Sequence, residues 1–145
     1  MSTTVEKVIV LRTVEIFRSL PEEYLVDIAG CVEEIDVSAG ESVIIEGELG
    51  SALYVIVDGK VRVHRGNTTL AVLGPREIVG ELTALDPEPR SADVTAEEDT
   101  RMYKLEHQEL DDVMASDAEV SRNVIKMLCR RLRAASASTA AHTLH

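Results

Sequence analysis

One arginine, Arg90, closes a stretch whose residue types suit an anion. The stretch, Gly80 to Ala92, reads GELTALDPEPRSA. A glycine is followed at once by a carboxylate, Glu81. An aliphatic patch, a proline-punctuated corner and then Arg90 come after it. A half-buried guanidinium needs an anion to offset its desolvation, and its planar fork matches a phosphate. In that reading Glu81 accepts hydrogen bonds from a ribose hydroxyl and Gly80 lets the backbone approach closely. The N–H groups of Glu81, Leu82 and Thr83, and those near Ser91 and Ala92, then form a small anion nest. The plainer reading pairs Arg90 with Glu81, Asp86 or Glu88 at the surface and uses the glycine and prolines only as turns. The residues alone leave both open.

The elements that position this stretch follow from periodicity. Glu6 to Phe17 places Val10, Leu11, Val14 and Phe17 at helical spacing. Ser19 and Glu22 have capping-box spacing ahead of a short helix with Leu25, Ile28 and Ala29 inward. From Cys31 to about Leu105 the segments become short, β-branched and broken by turns, with Asp58-Gly59 as a hairpin signal. Near Leu105 the pattern turns helical again. Glu106 to Met114 presents Leu110 and Val113, and Ser116 with Glu119 repeats the capping-box spacing. Ile125, Leu128 and Leu132 then form a stripe widened by Val124 and Met127. About eight short strands without alternating βα units imply a mainly β fold, a small double-stranded jelly-roll β-barrel flanked by N- and C-terminal helices. The expected organisation is one domain over 1–134, its barrel at about 31–105, and a flexible tail over 135–145.

Composition narrows the function classes. The chain has 145 residues and a formal charge of −11, which disfavours a general nucleic-acid binder but leaves room for one small anion on a local arginine. Cys31 and Cys129 lie far apart without metal-ligand spacing, and read as reduced, buried thiols of an intracellular protein. With no signal-peptide pattern and no span of roughly 20 apolar residues, a soluble, cytoplasmic protein without membrane insertion is expected. His64, His107, His142 and His145 show no metal-ligand spacing, and no nucleophile or paired-carboxylate constellation stands out. A non-enzymatic protein without metal or cofactor is therefore expected.

The central stretch resembles the phosphate-binding cassette of the cyclic nucleotide-binding domain family. The family pattern, aromatic-Gly-Glu-Leu-Ala-Leu-Leu followed after a corner by Pro-Arg-Ser/Thr/Ala-Ala, is met by Ile78 to Leu85 and by Pro89-Arg90-Ser91-Ala92. Ala39-Gly40-Glu41, Glu46-Gly47-Glu48 and Leu53 to Val61 fit its upstream turns and strand, so the likeness covers about Phe17 to Val113. The resemblance implies that Glu81 binds a ribose 2′-hydroxyl and Arg90 the cyclic phosphate. Gly80, Leu82, Thr83, Ser91 and Ala92 would line the ligand, and the helix near Asn123 to Leu132 would act as hinge and lid. Departures are Val79 in place of the usual phenylalanine, Ala84 in place of a bulkier aliphatic, and Arg76 where glycine is common. The implied function is a cyclic nucleotide sensor, cAMP ahead of cGMP, signalling through its C-terminal helices. A homodimer or an effector protein would meet the last helix. The alternatives are a non-binding interaction domain of the same fold and a regulatory fragment of a larger channel, kinase or transporter.

Overall fold

The computed structural model describes residues 2–80, 84–86 and 88–142. Helix α1, Thr4–Thr13, opens on a true capping box. The Thr3 side chain accepts the Glu6 N–H while Glu6 accepts the Thr3 N–H. A 3-10 turn, Glu15–Phe17, and α2, Glu22–Cys31, follow. The expected single helix to Phe17 is thus broken at Val14, which adopts extended backbone. The Ser19–Glu22 box does not form either. Pro21 precedes α2 and no side chain caps it.

Eight strands come next: β1 Glu33–Val37, β2 Ser42–Ile44, β3 Ala52–Asp58, β4 Val61–Arg65, β5 Thr68–Leu73, β6 Ile78–Val79, β7 Asp93–Ala96 and β8 Thr100–Glu106. Two helices end the chain, α3 His107–Ser116 and α4 Ala118–His142. The N-cap at α4 falls to Asp117, whose carboxylate accepts the Glu119 N–H at 2.8 Å. The Ser116 hydroxyl turns back to the Asp112 carbonyl instead. α4 carries regular helix through 135–142.

The expected closed barrel is not found. The strands form two separate four-stranded antiparallel sheets, ordered β1-β8-β3-β6 and β2-β7-β4-β5. Nor is the fold mainly β: α4 alone has 25 residues, whereas the longest strands, β3 and β8, have 7 each. The architecture is mixed, two open sheets flanked by helices. The Asp58-Gly59 turn shows why local signals misled. Its flanking strands do not pair, because β3 bonds β6 and β8 while β4 bonds β5 and β7. The turn passes the chain from one sheet to the other.

Two cores result. Between the sheets lie Ile44, Tyr54, Ile56, Val61, Val94 and Met102. On the other face of the first sheet, Leu53, Val55, Tyr103 and Leu105 pack on the helices through Leu11, Phe17, Leu25, Leu110 and Val120. Strand alternation explains this directly: odd positions of β3 face the helices and even ones the second sheet. On α4 the buried face is Val120, Val124 and Met127, while Ile125 and Leu132 are exposed. Of the stripe expected from spacing, Ile125 and Leu132 therefore face outward and the widening residues Val124 and Met127 face the core. Cys31 and Cys129 are free and exposed, not buried. Arg76 has φ +72, where among the described residues every other positive φ belongs to glycine. That conformation costs an L-residue about 1–2 kcal/mol.

Candidate functional site

Arg90 sits where the second sheet's loops meet β3. It is 8% exposed, and Arg90 and Thr100 are the buried polar or charged residues among those described. Its Nη2 donates to the Ala52 carbonyl at 2.9 Å and its Nη1 to the Gly80 carbonyl at 3.3 Å. Burial lowers its pKa from the ordinary value, while Tyr54 and Glu106 pull the other way. A guanidinium stays charged despite such a shift, so the site holds a fixed, partly desolvated cation. Arg90 is thus a buried side chain rather than an exposed surface one.

The main chain around Arg90 is clamped as tightly as its side chain. The Arg90 N–H donates to the Glu48 carbonyl and the Gly47 N–H to the Arg90 carbonyl, both at 2.9 Å. Leu49 and Pro89 form a bridge beside them. The Glu46 N–H donates to the Asp93 carboxylate at 2.8 Å, and Arg65 Nε donates to the Ser91 carbonyl at 2.8 Å. The 46–50 loop is therefore a wall of the site. Gly50 leaves room for the Arg90 side chain there: a Cβ would come 2.1 Å from Arg90 Nε, which would have to move. Gly80 has φ +81, and a Cβ on it would lie 2.8 Å from Arg90 Nη1 and 2.9 Å from the Ala52 carbonyl oxygen.

The structure thus brings together Gly80, Arg90, Ser91 and Ala92, which the sequence singled out. Ala92 is nearly buried and Ser91 is exposed. Glu81, Leu82 and Thr83 lie outside the described residues. Just past them Ala84 is fully buried in the helix-side core. Its carbonyl meets His107 Nδ1 at the start of α3, and His107 Nε2 lies 3.2 Å from Asp111. Sequence reasoning missed Arg65, Asp93 and His107, because each acts through contacts far along the chain. Paired glycines at 47 and 50 were the local signal for the loop wall.

A cavity of about 250 Å³ opens beside Arg90, lined also by Gly50, Tyr54, Glu48, Lys104 and Glu106. A larger one, about 310 Å³, lies between the 3-10 turn, the start of β6 and α4, away from Arg90. Size alone favours the second cavity. The buried cation Arg90, which lines the first cavity and not the second, favours the first as the principal site.

A buried cation among backbone carbonyls, on loops over a two-sheet frame, is an arrangement that can hold a small anion. Residues 34–117 match the family model for the cyclic nucleotide-binding domain, and the chain belongs to that family. It is 30% identical over 129 residues to a CRP-like cAMP-activated global transcriptional regulator of Mycobacterium tuberculosis, an alignment covering 86% of this chain and 58% of the relative. It is 39% identical over 101 residues to the cyclic AMP receptor protein of Thermus thermophilus, covering 66% and 47%. The crystal structure of Thermus thermophilus catabolite activator protein superposes with a TM-score of 0.79 at 31% identity, covering 89% of this chain and 63% of that one. The chain spans about half the length of the curated relatives it matches.

Proposed function

We propose that this chain is a cyclic nucleotide sensor module that takes cAMP ahead of cGMP. The observation carrying this reading is Arg90, a buried cation held by two backbone carbonyls at the end of a polar cavity. A cyclic phosphate is the kind of acceptor that a desolvated arginine favours, through a charge-assisted bond. The Gly80 backbone admits the ligand, Glu81 holds the ribose 2′-hydroxyl, and Leu82, Thr83, Ser91 and Ala92 complete the lining. These roles follow from family membership together with the geometry at Gly80 and Arg90. Relatives at 30% and 39% identity carry cAMP in their names and support that nucleotide, while cGMP-dependent protein kinases at 28–34% identity keep cGMP as the second choice. The module is regulatory rather than catalytic, as its CRP-like relatives are transcriptional regulators.

Ligand on Arg90 and Gly80 would act on β6 and on Ala84, which reaches α3 through His107. Output is then a shift in the population of α3 and α4 arrangements. No helix among the described residues is long and apolar enough to cross a membrane. Calorimetric titration of nucleotide-free protein with cAMP and then cGMP tests the reading. One site per chain, tighter for cAMP, is expected. A flat trace with both on folded protein would refute it.

An exposed stripe favours α4 as a contact for a second copy of the chain or for an effector. Ile125 is 60% and Leu132 68% exposed, with Leu128 half-buried between them. A dimer is the simplest occupant, since one copy's stripe can cover the other's. In sedimentation experiments Leu132→Asp should shift dimer to monomer. A dimer unchanged in that variant would move the contact elsewhere.

A further inference from the structure

Acidic residues outnumber basic ones 26 to 15 in this chain, so a gathering of cations runs against its overall field. One gathers beneath α4. The 310 Å³ cavity is lined by Arg18, Arg76, Arg130 and Arg131 against two carboxylates, Glu15 and Glu77. Both carboxylates are already engaged. Glu15 pairs with Arg130, and Glu77 accepts the Gly74 N–H at 3.0 Å. Arg131 is half-buried and donates to the Ile78 carbonyl at 3.2 Å. Burial lowers its pKa, with Glu77 opposing. Arg76 lines the cavity from a left-handed backbone that glycine would adopt without strain. A non-glycine residue kept in that conformation beside a cavity points to a role for its side chain.

We propose that this cavity is a second anion site, for a small free oxyanion of two or more negative charges, of the phosphate or pyrophosphate type. Arginines from three separate segments line it: Arg18 after the 3-10 turn, Arg76 before β6, and Arg131 on α4, beside Arg130 in its pair with Glu15. Such an oxyanion accepts from several forks at once. It would fasten α4 to β6, the strand that leads into Gly80, and so favour the α4 position described above. The site is separate from Arg90, which does not line it.

The test is calorimetric titration of the full chain with inorganic pyrophosphate at constant ionic strength. Three variants accompany it: Arg76→Gly, Arg131→Gln and Arg90→Gln. Arg76→Gly removes one guanidinium while relaxing the backbone, so it retains the fold. Expected are saturable one-site binding to the parent protein and to Arg90→Gln, and affinity about tenfold lower in Arg76→Gly and Arg131→Gln. Absence of saturable binding to the parent at millimolar pyrophosphate would overturn the proposal. So would binding that Arg76→Gly and Arg131→Gln leave unchanged, or that only Arg90→Gln removes. Because cAMP binding is measured separately on the same proteins, failure here is distinguishable from failure of the nucleotide reading.

Discussion

The two sheets have the same number of strands but do different work. The sheet β1-β8-β3-β6 has a core on each face, and in β3 every residue from Ala52 to Ile56 is buried. The sheet β2-β7-β4-β5 has a core on one face only, and its β5 leaves Leu70 and Val72 about half exposed. The first is a frame that resists adjustment. The second carries the loops and the hairpin, whose contacts can change at low cost because few apolar groups are committed to them. The candidate site lies on the seam. Arg90 leads into β7 of the second sheet, yet its guanidinium is held by Ala52 of the first. A ligand there would bear on both.

This contrast can be broken most sharply in β3. Leu53→Ala removes a fully buried side chain and should cost about 2–5 kcal/mol of stability, read from denaturant midpoints. Val72→Ala on β5 should cost under about 0.5 kcal/mol. Equal losses would mean that the two sheets are equivalent in the core. A smaller effect sharpens the role of the seam. Gly50→Ala puts a methyl on Arg90 Nε, displacing a flexible side chain rather than the backbone. cAMP affinity should fall about tenfold, the scale of one charge-assisted hydrogen bond, while the melting temperature stays nearly constant. Unchanged affinity would show that the 46–50 loop does not set the position of Arg90.

Much of this was legible in the sequence, for physical reasons that also mark where reading stopped. Leu25, Ile28 and Ala29 declared the buried face of α2 by helical spacing, and the strand segments declared themselves by β-branching and turns. Gly80 and Arg90 stood out together because few residue types can meet an anion from the backbone and from a fork, and the structure joins them through the Gly80 carbonyl. What spacing could not reveal was pairing between distant segments. The Asp58-Gly59 turn has hairpin chemistry but joins two sheets, and nothing local records whether a sheet closes. Thr3–Glu6 and Ser19–Glu22 share one spacing, yet only the first forms a box, because Pro21 occupies the second cap position. On α4 five apolar residues compete for the core. The packing of the 3-10 turn, not the local pattern, selects Val124 and Met127 over Ile125 and Leu132. Arg76 was visible as a departure from glycine, but its left-handed backbone needed the structure.

The central claim is that Arg90 is the anion-holding group of a nucleotide site. It is tested most directly by the cAMP affinity of Arg90→Gln against the parent chain, with circular dichroism confirming that both are folded. The account expects a loss on the order of 100-fold, as for removal of a buried charge-assisted pair. Equal affinity in the two folded proteins would contradict it.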